Sequence, residues 1–184
     1  MSIRNILIFV CLVSLVGCVS SLPRESSMHE QQEALRLIDQ GTFFLREGAL
    51  SEARASFEVA YDIEVSSQAM DGLGCVAFLE GDFKLARDYF LAAYRYDSSY
   101  VQSLTNLALL YDHIGAKREA QLLYERALQQ KPNLLPGRNN LGVLHQEGGD
   151  TSQAKQELFR AYVVLPHEIL GNNLEKVGER PWQQ

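Results

Sequence analysis

The chain repeats a pattern of small and large residues about every 34 positions. In each copy an alanine is followed by a large residue four positions later and by a second alanine seven positions later. The four copies start at Ala53, Ala86, Ala120 and Ala154, so the spacings are 33, 34 and 34 residues. A period of this length predicts supersecondary units that bury their apolar surfaces by stacking on one another.

Three further sets of positions follow the same period. Twelve residues before each first alanine stands a small residue, at Gly41, Gly74, Ala108 and Gly142. Five residues before it stands a glycine, at Gly48, Gly81, Gly115 and Gly149. Twelve residues after it stand Val65, Ser98, Pro132 and Pro166. Small residues allow two helices to cross closely, and glycine suits the left-handed conformation that often follows a helix. Proline cannot continue a helix, so it marks the end of one. Each repeat is therefore predicted to be a pair of helices.

These residues at this period resemble the tetratricopeptide repeat (TPR) family over about residues 34–168. The segments Asn106-Leu107-Ala108 and Asn140-Leu141-Gly142 are similar to the family's Asn-Leu-Gly segment. The resemblance implies an all-α solenoid of about four helix-turn-helix repeats with a C-terminal capping helix. The departures from the family pattern are Val65 and Ser98, where proline is usual, and His145, where a tyrosine commonly packs.

The repeat also predicts where the helices and the domain lie. Ser27 and Glu30 have the spacing of a capping box, which predicts the start of the first helix. Helix pairs are expected at about 28–46 with 51–63, 67–79 with 83–96, 101–114 with 117–130, and 135–147 with 151–164. The domain is expected over 27–178, with repeats at about 34–66, 67–100, 101–134 and 135–168, a cap at 169–178 and a frayed tail at 179–184.

The first eighteen residues have the pattern of an export signal. Arg4 precedes an apolar span at residues 6–16, which at eleven residues is shorter than the roughly 20 that cross a bilayer as a helix. The span ends in Leu15-Val16-Gly17-Cys18, which resembles the lipobox of bacterial lipoproteins. That resemblance implies a signal peptide at 1–17, acylation of Cys18 and a flexible tether over 18–26. The alternative is an ordinary signal peptide with a chance cysteine.

The residue after Cys18 bears on which membrane holds the protein, and the number of cysteines bears on whether disulfides stabilise it. Val19 stands where inner-membrane lipoproteins of diderm bacteria commonly have aspartate, so the resemblance implies an outer-membrane anchor with the body in the periplasm. Cys11 leaves with the signal and Cys18 is expected to carry lipid, which leaves Cys75 alone. The exported body is therefore predicted to depend on packing rather than on disulfides.

The charge of the chain argues against nucleic acid as a partner. The net charge is −6, the isoelectric point is about 5.2, and no basic run is longer than Lys117-Arg118. Phosphate backbones are bound by clusters of lysine and arginine, which this sequence lacks.

No pattern in the sequence indicates catalysis. The four histidines, His29, His113, His145 and His167, have no metal-ligand spacing, and there is no nucleophile elbow or phosphate loop. Gly72-Leu-Gly74 lies within a predicted helix and is interpreted as a packing feature, and Cys75 as a half-buried thiol. The chain is therefore predicted to be no enzyme, with no catalytic residue, metal, cofactor or small-molecule substrate.

The TPR resemblance places partner binding on the concave face of the stack. The groove positions that it implies are Thr42, Leu45, Asp71, Phe78, Thr105, Asn106, Leu109, Asp112, Asn139, Asn140, Val143 and Gln146. None is a lysine or arginine, so a clamp for a C-terminal carboxylate is not expected. The face suits a partner protein that presents an amphipathic helix or an extended segment with apolar anchors. Phe78 and Leu109 are expected to point into this groove without supporting the core.

Two points about the groove stay open in the sequence. Asn106 and Asn140 suit either a hydrogen bond to a partner backbone or one to neighbouring turns. Leu35 and Ile38 are available either to a partner or to the protein's own N-terminal arm.

Among TPR lipoproteins, the chain is similar in plan to pilotins and to assembly factors of pili and secretins. The expected function is a membrane-anchored scaffold that binds a component of such an envelope machine. The alternatives are an adaptor for cell-wall hydrolases and a chaperone for secretion substrates, and the lipobox argues against the latter.

Overall fold

The computed structural model describes residues 26–179 and contains nine α-helices in that range. Their bounds are α1 Met28–Glu47, α2 Leu50–Ile63, α3 Ser67–Leu79, α4 Phe83–Tyr96, α5 Gln102–His113, α6 Lys117–Gln130, α7 Leu135–Glu147, α8 Thr151–Val164 and α9 Glu168–Lys176. The predicted all-α stack of four helix pairs with a capping helix is confirmed. The predicted signal peptide, the cysteine predicted to carry lipid, most of the predicted tether and the tail beyond Glu179 lie outside the described residues.

Local side-chain chemistry starts and ends these helices where the sequence predicts. Ser27 Oγ accepts a hydrogen bond from the Glu30 amide at 3.2 Å, and the Glu30 carboxylate accepts one from the Ser27 amide at 2.7 Å. This capping box satisfies amide donors that the first turn of a helix leaves without partners. Glycines with φ between 74° and 84° follow all four first helices and also α9, at Gly48, Gly81, Gly115, Gly149 and Gly178.

The two helices of each pair cross through a small residue on one and a large residue on the other. A Cβ atom added to Gly74 of α3 would lie 2.5 Å from Phe90 Cε1 of α4, and one added to Gly142 would lie 2.6 Å from Leu158 Cγ. Gly72 has a second role, since a Cβ there would lie 2.4 Å from Phe57 Cε1 of the preceding pair. Close approach at these positions therefore packs each pair and joins it to its neighbour.

The first helices of the pairs lie on the inside of the array. Within residues 26–179, α1 contacts α3, α3 contacts α5, and α5 contacts α7, whereas the second helices do not approach one another to the same extent. Closer spacing on one side bends the stack toward that side, so the first helices form a concave inner face.

The C-terminal helix closes one end of the stack. Leu174 of α9 and Val177, which follows the helix, pack with Ala154 and Leu158 of α8, and the exposed side of α9 is mostly polar. In the described part of the chain, no helix combines the length and apolarity needed to cross a membrane.

Candidate functional site

The inner face has a buried polar cluster between α3 and α5. Asp71 of α3 is 6% exposed, and its Oδ2 accepts hydrogen bonds from Asn106 Nδ2 at 2.9 Å and from the Tyr100 hydroxyl at 3.4 Å. Asn106 Nδ2 also lies 3.6 Å from Cys75 Sγ. The Asn106 amide therefore links two neighbouring repeats, which differs from both uses that the sequence left open for it.

The carboxyl of Asp71 is only partly satisfied by these contacts. Its Oδ1 is buried and has no hydrogen-bond partner among the described residues. Burial raises the pKa of Asp71 from 3.8 to about 7, although the hydrogen bonds from Asn106 and Tyr100 act in the opposite direction. Burial, and then the nearby Asp71 charge, also raise the pKa of the Cys75 thiol. Cys75 is half-buried, as the sequence predicts, and a raised pKa makes it an unreactive thiol.

A second polar chain runs from α7 to α9. Asn173 Nδ2 donates to Asn139 Oδ1 at 2.8 Å, and Asn139 Nδ2 donates to Asn140 Oδ1 at 3.2 Å. Lys176 Nζ donates to Asn173 Oδ1 at 3.2 Å. These bonds connect the fourth repeat to the cap along the inner side.

The contacts of Phe78 contradict one prediction about the groove. Its ring lies 5.3 Å from that of His113 and 5.8 Å from that of Phe83, and it packs against the core cluster around Phe90. The statement that Phe78 points into the groove without supporting the core is therefore wrong. A large aromatic side chain at the C-terminal end of α3 finds aromatic neighbours at the start of α4 and at the end of α5.

The predicted groove residues differ in how far they are accessible. Thr105 is buried, and its hydroxyl donates to the Val101 carbonyl at 3.4 Å, so it belongs with Asp71 beneath the surface. Leu109 is 39% exposed and is the most accessible large apolar side chain among the predicted positions. The half-buried members are Thr42, Leu45, Phe78, Asn106, Asp112, Asn139, Asn140, Val143 and Gln146.

An ion-pair bridge lies along one rim of this face. Lys117, at the start of α6, pairs with Asp112 of α5 and also with Glu147 of α7, at 2.6 Å for the latter. One lysine thus offsets two carboxylates at the C-terminal ends of adjacent inner helices. Among the predicted groove positions, Leu109 alone is exposed, and the kind of partner stays a prediction.

Three residues of this region were missed by sequence reasoning. Tyr100 reaches Asp71 from the turn before α5, the His113 ring meets the Phe78 ring edge to face, and Asn173 extends the asparagine chain into the cap. Only Asn173 carries a signal in the sequence, because it stands 34 residues after Asn139.

The histidines are dispersed in the structure as well. His167 caps α9 by accepting from the Ile169 amide at 3.2 Å, and His145 is buried in α7. Within residues 26–179, no three His, Cys, Asp or Glu side chains come together in a way that could hold a metal ion.

The helix pairs, their crossings and their curvature define the class of this protein: it is a TPR solenoid, a fold that typically binds other proteins or peptides and is typically not an enzyme. The family model for the tetratricopeptide repeat matches residues 101–134. Over 168 residues the chain is 29% identical to the type IV pilus assembly protein PilF of Pseudomonas aeruginosa. That alignment covers 85% of this chain and 64% of PilF, so the chain spans just under two thirds of that relative.

Solved structures share the fold. The structure of Pseudomonas aeruginosa PilF matches with a TM-score of 0.71 and 20% identity, over 81% of this chain and 69% of that one. The structure of YrrB, described as a TPR protein with an unusual peptide-binding site, matches with a TM-score of 0.58 and 20% identity, over 78% of this chain and 74% of that one.

Proposed function

We propose that this protein is a lipid-anchored scaffold that binds a protein component of an envelope machine, such as one that assembles pili or secretins. Binding takes place on the inner face of the TPR stack, and the protein performs no chemistry of its own. The anchor is the acylated Cys18, and the body lies in the periplasm at the outer membrane.

The observation that carries this proposal is the similarity to a type IV pilus assembly protein over 168 residues. The aligned segment is 85% of the chain, so it extends over most of the repeats rather than over one common TPR unit. The lipobox resemblance at Leu15 to Cys18 independently favours an envelope location.

The inner face supports a partner with apolar anchors. Leu109 lies exposed near the centre of the stack, and none of the predicted groove positions is a lysine or arginine. An amphipathic helix or extended segment that buries one or two apolar side chains there fits this surface. Asp112 is held by Lys117 and therefore offers little attraction to a basic partner.

Deletion of the gene in the source bacterium tests the pathway. Loss of surface pili, or of assembled secretin multimers, is expected, with recovery when the wild-type chain is restored. Normal pili and secretins in the deletion strain would contradict the proposal. A cell-separation defect instead would favour the adaptor for cell-wall hydrolases.

The anchor has its own test, with a matched control in the same signal segment. Cys18→Ser is expected to abolish palmitate labelling and either to leave the protein unprocessed or to release the body from the membrane fraction, because several buried acyl chains hold a protein far better than none. Cys11→Ser should leave both unchanged. Full membrane retention of a processed Cys18→Ser body would contradict acylation as the anchor.

A further inference from the structure

The junctions between successive repeats are filled differently at one level of the stack. Between the second and third repeats, three aromatic rings meet with their centroids 5.1 to 5.8 Å apart, those of Phe78, Phe83 and His113. Between the third and fourth repeats, the residues 34 positions later form the ion-pair bridge, Asp112, Lys117 and Glu147. Charged side chains therefore stand at the second junction where rings fill the first.

A cavity of about 540 Å³ lies at this level between α6 and α8. Its walls are the N-terminal ends of these two helices, and the C-terminal end of α7 lies between them. None of the predicted groove positions lines it, so the cavity is separate from the proposed binding surface on the inner face.

His145 is the buried polar residue of this cavity. It stands 34 residues after Tyr111, which packs against the core cluster that contains Phe90 of α4 and against the one that contains Tyr124 of α6. The same position in α7 therefore faces the space between α6 and α8, where an imidazole occupies less room than a phenol ring.

The ring of His145 lacks a polar partner. The residue is 8% exposed, and within residues 26–179 no group forms a hydrogen bond with its ring. Its nitrogens are not sealed inside the core, so they open onto the cavity that the residue lines. Polar groups at buried positions normally have hydrogen-bond partners, so this ring is available to a bound group.

The carboxylates that line the cavity are already engaged by the chain itself. Glu147 accepts a hydrogen bond from Lys117 Nζ at 2.6 Å. Asp150 caps α8, because it accepts from the Gln153 amide at 3.1 Å and from Gln153 Nε2 at 2.7 Å. Asp150 also interacts with His145 by charge, without a hydrogen bond between the two.

The guanidinium of Arg118 is not engaged in this way. Arg118 is exposed in the first turn of α6 and lines the same cavity. Among residues 26–179 it has no ion pair, whereas Lys84, the equivalent residue of the second repeat, pairs with Asp88 at 3.2 Å. The cavity thus leaves free a guanidinium and an imidazole, both of which donate hydrogen bonds.

We propose that this cavity is a binding site for a carboxylate group, which Arg118 and His145 hold. A guanidinium binds a carboxylate through paired hydrogen bonds, and one unpaired cation balances one negative charge. A phosphate carries a larger negative charge and would be repelled more strongly by Glu147 and Asp150, so a carboxylate is the better match. An acidic side chain of a partner protein and a small free acid both supply this group, and the cavity accommodates either.

Nuclear magnetic resonance of the full chain in neutral detergent micelles, with ¹³C-labelled histidine rings, tests this proposal at low salt. Loss of one signal in His145→Gln identifies the His145 ring. The peptide acetyl-Gly-Glu-Gly-amide is expected to shift that signal saturably, and the uncharged peptide acetyl-Gly-Gln-Gly-amide is not. Acetate as a third probe distinguishes the sources: saturation by acetate at similar concentrations supports a small acid, and saturation by the glutamate peptide alone supports a protein side chain. No saturable shift with either acid, or an equal shift with the glutamine peptide, would overturn the proposal.

Two variants and one control show whether the named residues hold the carboxylate. Arg118→Ala should weaken binding of the probe that saturates by about tenfold, since a hydrogen bond between charged groups is lost. Lys84→Ala, at the equivalent position of the second repeat, should leave binding unchanged.

His145→Tyr gives the cavity the residue that the third repeat has at this position, so it should abolish binding without lowering the melting temperature. If it does lower the melting temperature, Arg118→Ala decides alone, because Arg118 is exposed. Unchanged binding in Arg118→Ala, or in a stable His145→Tyr, would overturn the proposal. The site is separate from the inner face, so its failure would leave the pilus-assembly test unaffected.

Discussion

At the helix crossings the chain repeats itself closely, whereas on the inner face equivalent positions differ. Ala53, Ala86, Ala120 and Ala154 are all fully buried and all meet the first helix of their own pair. On the inner face, the equivalent positions hold Ile38, Asp71, Thr105 and Asn139. The crossings need one shape in every repeat because the pairs stack in one way. The inner face has no such requirement, so its residues differ from one repeat to the next, and some of them form polar contacts between repeats.

The largest expected effect is at a crossing in the middle of the stack. Ala120 packs with Ala108, Tyr124, Leu141 and Leu144, so Ala120→Phe has no room for its ring. Overpacking of this kind costs about 1–3 kcal/mol of unfolding free energy, and coupling between neighbouring repeats extends the damage. Thermal unfolding measures the loss. Gln129→Phe, at an exposed position of the same helix, is the control and should change little.

The buried carboxyl of Asp71 predicts a dependence of stability on pH. Its pKa is about 7 in the folded protein against 3.8 for the ordinary group, so the folded state holds the proton between these values and the unfolded state does not. Stability should therefore fall as pH rises toward 7, by up to about 1.4 kcal/mol per pH unit, and level off above it.

Asp71→Asn isolates this contribution. The variant should lose the decline between pH 5 and 7 in urea unfolding, while Asp39→Asn, at an exposed position of α1, should keep it. An unchanged slope in Asp71→Asn would show that another group is responsible.

A smaller difference in stability is expected between alanine substitutions at two glycines. Gly74 lies at a helix crossing, and Gly148 lies at a helix end. Gly74→Ala brings a Cβ to 2.5 Å from Phe90 Cε1, so the ring must shift, and a loss of about 1 kcal/mol is expected. Gly148→Ala has its nearest neighbour at 3.5 Å and a φ of −75°, so it should be neutral or slightly stabilising. Equal melting temperatures for the two variants would contradict the assignment of Gly74 to a close crossing.

The same contrast explains what the sequence can and cannot predict. Helix bounds, the crossings and the capping box depend on residues close together in the chain or on the 34-residue period, and the structure agrees with each. One hydrogen bond to the buried Asp71 comes from Tyr100, which lies in a turn and follows no period. The placement of Phe78 depends on Phe83 and His113, two aromatic neighbours outside the repeated pattern. Contacts between non-repeating side chains of different repeats are therefore found only in three dimensions.

The measurement that most directly tests the inner face as the binding site compares two leucines of the third repeat. Leu109 is exposed on α5 and Leu122 is exposed on α6, so Leu109→Asp and Leu122→Asp place the same charge on opposite sides of the stack. Both should melt near the wild type, because neither side chain belongs to the buried core. In the deletion strain, at equal protein abundance, Leu122→Asp should restore surface pili and Leu109→Asp should not, since a docking apolar anchor would bury an unpaired carboxylate. Full restoration of pili by Leu109→Asp would contradict binding at the inner face.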